Sequence, residues 1–195
     1  MSAQATIEPG RAVFLDRDGV INEPPPAGSW VFRWDDFRFA DGALDALRRL
    51  REAGFVVAVI TNQSCVGRGL ASLADIEGIN RRMVEAVAAA GGSIAGVYLC
   101  PHTNDDGCLC RKPRPGLIDQ AARELGVAPE RSFVVGDSER DIEAGLARGC
   151  RTLRVAGPNA ELPAETRAHH VVRDLAEAVQ LILDLVHGGE REPVP

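Results

Sequence analysis

The sequence predicts an α/β fold, a Rossmann-like three-layer α/β/α sandwich built on a mainly parallel sheet. Three observations carry that prediction. Short apolar runs alternate with amphipathic stretches along the chain, the pattern of strands alternating with covering helices. Polar clusters rich in Asp, Thr and Gly follow directly on the apolar runs, and parallel sheets collect their chemistry outside the carboxyl ends of strands. A length of 195 residues with 45% apolar content suits one domain with a substantial core.

The elements follow in order. Residues 12–15, Ala-Val-Phe-Leu, are continuously apolar and read as a buried strand. Residues 43–53 carry leucines at 44, 47 and 50, a helical spacing, and Gly54 ends the helix. Residues 55–60 give the strongest strand pattern, being apolar and β-branched. Residues 73–90 read as a helix with Ser72 at its N-cap. A third strand is expected over 94–99, then a helix over 115–125 closed by Gly126. Residues 132–135 and 152–155 read as strands flanking a helix over 139–147. Val171 and Val172 suit a short edge strand, and 174–186 a last helix with Asp174 near its cap. The expected division is an N-terminal extension (1–10), one domain (11–187) and a frayed tail (188–195). Residues 23–29, with three consecutive prolines, read as a stiff loop beside the first polar cluster. No insertion is long enough for a large cap domain.

Composition narrows the function classes. A net charge of -6 argues against nucleic acid as the main partner. No apolar run approaches the ~20 residues that span a bilayer, and the N-terminus has no apolar signal core, so a cytoplasmic, monomeric protein acting on a small molecule is expected. Five cysteines are an odd number, and clustered cysteines in a reducing compartment more often mean metal than disulfides. Of the 22 Lys and Arg residues only Lys112 is a lysine, which alone fits either a chance survivor in an arginine-biased chain or a position where a compact point charge is needed and a planar guanidinium will not serve.

Asp16 and Asp18 stand two apart just past the first strand, and Asp137 follows the fourth. Carboxylates so close repel one another and call for a divalent cation or a shared proton. An oxygen-rich pocket of this kind suits Mg²⁺. Alone, Asp16-Arg17-Asp18-Gly19 is also compatible with an ordinary turn. In combination, the segment from Phe14 to Asn22, Thr61 after the second strand, Lys112, and Gly136-Asp137-Ser138-Glu139-Arg140-Asp141 resemble, in order, the four motifs of the haloacid dehalogenase superfamily of phosphatases. The resemblance implies that Asp16 is the nucleophile that forms an aspartyl-phosphate and that Asp18 is the general acid and base. It implies Mg²⁺ held by Asp16, the main-chain oxygen of Asp18, and Asp137. Thr61 would hydrogen-bond a phosphoryl oxygen, Lys112 would neutralise the transferring group, and Asp141 would orient Lys112 or the metal waters.

Cys100, His102, Cys108 and Cys110 supply three thiolates and one imidazole within eleven residues, a complete tetrahedral set for a structural Zn²⁺. A disulfide or unpaired core thiols are the alternatives. Such a zinc would tie down a loop with almost no apolar content that leads into Arg111 and Lys112. Cys150 reads as packing, and nothing marks Cys65 as reactive. The cysteine pattern, with Arg111-Lys112-Pro113, resembles the heptose-bisphosphate phosphatase and histidinol-phosphatase branch of the superfamily. Thr61-Asn62-Gln63-Ser64 with Arg68-Gly69 resembles the heptose side. That resemblance implies removal of the C7 phosphate of D-glycero-D-manno-heptose 1,7-bisphosphate in ADP- or GDP-heptose biosynthesis. Asn62, Arg68 and Arg111 would contact the substrate. Histidinol-phosphate hydrolysis and a catalytically inactive zinc-stabilised binding module are the alternatives.

Overall fold

A computed structural model describes residues 10–26, 28–157 and 165–189. Most of the expected extension over 1–10 and tail over 188–195 therefore lies outside the described residues. Six strands form one sheet in which every pairing is parallel. They are β1 (Ala12–Leu15), β2 (Val56–Asn62), β3 (Gly96–Cys100), β4 (Phe133–Gly136), β5 (Arg151–Val155) and β6 (His170–Val172). The helices are α1 (Ala43–Glu52), α2 (Ser64–Gly67), α3 (Leu73–Ala89), α4 (Gly116–Leu125), α5 (Glu139–Leu146) and α6 (Leu175–Gly189).

Alternation along the central strands creates two apolar faces. Val13, Leu15, Val57, Val59 and Val135 bury one face with α1, α3 and α6. Ala12, Phe14, Ala58, Ile60 and Val134 bury the other with α4 and the buried face of α5. Both layers are covered, which explains why the central strands read as unbroken apolar runs rather than as alternating ones. α1 shows the matching logic for a helix. Ala43, Ala46, Leu47 and Leu50 are buried at helical spacing, while Arg48 pairs with Asp45 and Glu52 on the solvent side. α3 starts on a capping box between Ser72 and Asp75, and α4 ends on Gly126 at φ +67°.

Boundaries differ from expectation where pairing overrides local pattern. β2 continues to Asn62 because Thr61 and Asn62 still pair with Leu99 and Cys100 of β3. β3 begins at Gly96 rather than at Ile94, which packs against the core from the preceding connection. α2, a single turn directly after Gln63, is too short to show a period.

The strand order β3-β2-β1-β4-β5-β6 fixes where the chemistry sits. The chain winds outward in one direction from β1 through β3 and in the other from β4 through β6. Between β1 and β4 the direction reverses, and at such a switch point the connections leave a crevice at the carboxyl ends of the strands. Asp16 and Asp137 are the first residues past those two ends.

Candidate active site

β1 and β4 pair directly, with Leu15 opposite Val135, so the residues that follow them emerge side by side. Asp16 donates its backbone N–H to the Val135 carbonyl at 2.9 Å, extending the ladder by one bond and fixing the start of the first loop. Gly19 then turns the chain at φ +84°, and a Cβ there would fall 2.3 Å from Asp137 Oδ2. The absent side chain is what lets the Asp137 carboxylate reach the first loop.

Lys112 enters from the long connection between β3 and α4 and is almost wholly buried. Its Nζ lies 2.9 Å from Asp16 Oδ1 and 2.6 Å from Asp141 Oδ1, and it donates to the Ile60 carbonyl at 2.7 Å. An ammonium has three N–H groups, and this tripod offers three acceptors. A planar guanidinium with five donors cannot be satisfied in the same place. Burial would lower the lysine's pKa, but Asp141 and Asp16 outweigh it and hold the ammonium above the ordinary lysine range.

Asp141 has a second task. Its Oδ2 accepts from Ser138 N at 3.1 Å and Ser138 Oγ at 2.6 Å, closing the capping box of α5. One carboxylate thus caps the helix and holds the lysine. Gly136 makes room for it, since a Cβ there would lie 2.1 Å from the Asp141 Cβ.

Thr61 is buried, and its Oγ1 accepts from Gln63 Nε2 at 2.9 Å, which leaves the hydroxyl hydrogen for another oxygen. The same Gln63 Nε2 donates to Asp18 Oδ2 at 2.8 Å. Asn22 Nδ2 donates to Asp18 Oδ1 at 3.0 Å. Sequence reasoning did not give Gln63 or Asn22 a role in the site, although both lie inside the quoted motifs. Their amides become informative only once the fold brings the two loops together.

The substrate candidates are differently engaged. Asn62 uses both ends of its amide on the backbone of Lys112, at 3.1 Å each, so it holds the lysine's segment against the end of β2. Arg111 donates to Asn104 Oδ1 at 2.8 Å and to the His102 carbonyl at 3.0 Å. Arg68 lies over the Trp30 ring, 5.6 Å from its centroid. A cavity of about 390 Å³ beside Lys112 is lined by Arg111, Arg114 and Arg140 among others.

Two groups of side chains fit metal ions. The sulfurs of Cys100, Cys108 and Cys110 lie 3.2 to 3.6 Å apart, and His102 Nδ1 lies 3.4 and 3.5 Å from two of them. A tetrahedron with Zn–S bonds of about 2.3 Å has S–S edges of about 3.8 Å, so the four atoms need move little to hold Zn²⁺. They are far outside disulfide distance, and all five cysteines are free thiols. Cys100 is buried at the end of β3, so the cluster anchors the loop to the core, and Arg114 braces it by donating to the Gly107 and Cys108 carbonyls. Cys65 and Cys150 are both buried, and burial pushes both thiols up, Cys150 to about 12. Neither has the depressed pKa of a reactive thiol.

Asp16, Asp137 and Asp141 form the second group, with one oxygen of each within 4.8 Å of the others. Burial first, then the carboxylates of Asp141, Asp137 and Asp18, push Asp16 up to about 7 against the pull of Lys112. Burial and Asp141 likewise push Asp137 up to about 6. Crowding of this kind is relieved by a divalent cation. Asp141 is committed to Lys112 and Ser138, so Asp16 and Asp137 are the side chains left to hold one. Among the described residues both polar contacts to the Asp16 side chain, from Lys112 and from the Arg17 N–H at 2.8 Å, fall on Oδ1, which leaves Oδ2 for a metal or an electrophile. Asp18 is not in this group, and its main-chain oxygen accepts no backbone hydrogen bond among the described residues.

A parallel sheet with this crevice is the architecture of a HAD-like hydrolase, and residues 109–178 match the family model described as "HAD-hyrolase-like". The D-glycero-beta-D-manno-heptose-1,7-bisphosphate 7-phosphatase of Yersinia pestis is 36% identical over 180 residues, 88% of this chain and 94% of that protein. The Pseudomonas aeruginosa enzyme of the same name is 41% identical over 143 residues, 73% of this chain and 79% of that protein. The crystal structure of D,D-heptose 1,7-bisphosphate phosphatase from B. bronchiseptica, complexed with magnesium and phosphate, superposes with a TM-score of 0.79 at 36% identity. It covers 90% of this chain and 99% of that one. The chain belongs to this family of HAD-like phosphatases.

Two outcomes are expected of the metal sites. Cys110→Ser should reduce zinc bound to the purified protein from one ion per chain to near zero; a full complement would contradict the four-ligand assignment. The second concerns pH. Asp16 and Asp137 in the folded protein hold protons that the unfolded chain releases near 3.8. The metal-free protein therefore loses this contribution to stability as pH rises through about 4 to about 7. Mg²⁺ competes with those protons, so it should raise the melting temperature more at pH 8 than at pH 5. An equal or larger rise at pH 5 would contradict the cluster.

Proposed function

We propose that the chain is a Mg²⁺-dependent phosphatase that removes the C7 phosphate of D-glycero-D-manno-heptose 1,7-bisphosphate in ADP- or GDP-heptose biosynthesis. The β anomer named for its relatives is taken as the preferred substrate. The observation that carries the reading is the buried Lys112 tripod, which sets a fixed positive charge against Asp16 at the switch point of the sheet. The magnesium and phosphate bound by the B. bronchiseptica enzyme support it.

In this reading Asp16 Oδ2 attacks phosphorus and forms an aspartyl-phosphate while the bond to the C7 oxygen breaks. Asp18 gives a proton to that oxygen, then takes one from the water that hydrolyses the intermediate. Thr61 donates to a phosphoryl oxygen, and Lys112 offsets charge on the transferring group. A charge pair at ~4 Å and an effective dielectric near 20 is worth about 4 kcal/mol. Asp16, Asp137 and the Asp18 main-chain oxygen would hold Mg²⁺, which when bound lowers the repulsion between two anions that must meet.

The second phosphate calls for cations away from Asp16. Arg111, Arg114 and Arg140 line the cavity beside Lys112 and suit that task, with Arg111 held in place by the zinc loop. Zn²⁺ on Cys100, His102, Cys108 and Cys110 has a structural role in this reading. The 11–187 segment acts as a single catalytic domain without a large cap, as a cytoplasmic monomer with no nucleic acid or membrane partner. No helix among the described residues is long and apolar enough to cross a membrane.

Phosphate release from both anomers of the heptose bisphosphate and from histidinol phosphate, measured in parallel, tests the assignment. Highest kcat/KM on the β anomer is expected, with Asp16→Asn inactive on all three. A large preference for histidinol phosphate would move the enzyme to the other branch. Retained turnover in Asp16→Asn would remove the proposed nucleophile.

A further inference from the structure

Arg17 is the largest fully buried side chain among the described residues, yet the chemistry described above does not use it. A buried guanidinium is costly unless every face is matched. Its Nη2 lies 3.0 Å from Asp18 Oδ2 and 3.1 Å from Asp18 Oδ1, and its Nε lies 3.3 Å from the same Oδ1. At the far end Nη1 donates to Asn80 Oδ1 of α3 at 3.1 Å. Nη2 also reaches the Val31 carbonyl at 3.2 Å. The guanidinium therefore ties Asp18 to a helix and to the loop ahead of α1.

We infer that Arg17 is a positioning residue for Asp18, engaging both carboxylate oxygens while Asn22 donates to one and Gln63 to the other. This rests on the reading of Asp18 as the acid and base of the reaction. What Arg17 supplies is placement of the Asp18 carboxylate. An aspartate alone has free rotation about two side-chain bonds. Here both oxygens are taken up by donors fixed in different elements, so the group cannot swing away from the crevice. Acid catalysis depends on that placement, since a shift of about 1 Å can cost on the order of 10²-fold in rate.

The test uses leaving groups. A sugar phosphate expels a poor alkoxide and needs a proton from Asp18, whereas p-nitrophenyl phosphate expels a stable phenolate and does not. Arg17→Met should lower kcat/KM on the sugar phosphate by ten- to a hundredfold and on p-nitrophenyl phosphate by only a few-fold. Arg17→Lys should recover part of the difference. Asn80→Leu, which removes the far anchor without touching Asp18, should show the same bias more weakly, and it carries the test if Arg17→Met does not fold. Equal losses on both substrates in the folded variants would overturn the inference, because a merely structural residue gives no leaving-group bias. Asp18→Asn separates the two levels: if it shows no bias, the role given to Asp18 is wrong. If it shows the bias and the Arg17 and Asn80 variants do not, only the positioning role is wrong.

Discussion

One buried ammonium organises the crevice. Asp16, Asp18, Asp137 and Asp141 bring four carboxylates to the ends of two adjacent strands, and among the described residues Lys112 and Arg17 are the cations bonded to them. Four negative charges against two positive ones leave a deficit of two, the charge of one divalent cation. Without it the burden falls on protons, and the raised values of Asp16 and Asp137 express this. Lys112 decides which carboxylates are spared: it commits Asp141 and one oxygen of Asp16, and leaves the other oxygen of Asp16 and all of Asp137.

The fold supplies this arrangement through backbone geometry more than through side-chain contacts. Reversal of strand order between β1 and β4 opens the crevice, and the pairing of those strands sets Asp16 beside Asp137. Two glycines remove the atoms that would otherwise separate the partners, Gly19 against Asp137 and Gly136 against Asp141. The lysine is fixed from three directions: by Asn62 at the end of β2, by the Ile60 carbonyl, and by the Cys/His cluster two residues before it in sequence. A polar loop with little apolar area cannot hold so exact a reach by packing, and four metal donors anchored on buried Cys100 offer a substitute.

Much of this is legible in the sequence. The central strands announce themselves because both faces are buried, and the motif residues fall at strand ends because that is where a parallel sheet exposes its chain. Lys112 is conspicuous because arginine fills every other basic position. Distances between loops are less legible. Asn62 reads as a substrate ligand when only its neighbours in sequence are considered; the structure engages its amide with a backbone fifty residues away. Gln63, which joins Thr61 to Asp18, and Asn80, which anchors Arg17 from α3, depend on tertiary approach and leave no periodic or compositional trace. α2 escapes for another reason: a four-residue turn is shorter than the pattern that would reveal it.

The crevice requires a compact three-donor cation, and not merely a positive charge, between Asp16 and Asp141. Steady-state turnover of Lys112→Arg, with zinc content and melting temperature measured on the same sample, tests it most directly. Loss of about 10²–10³-fold in kcat is expected, in a protein that remains folded and zinc-loaded. Turnover near that of the unmodified protein would show that charge alone suffices and that the tripod is incidental.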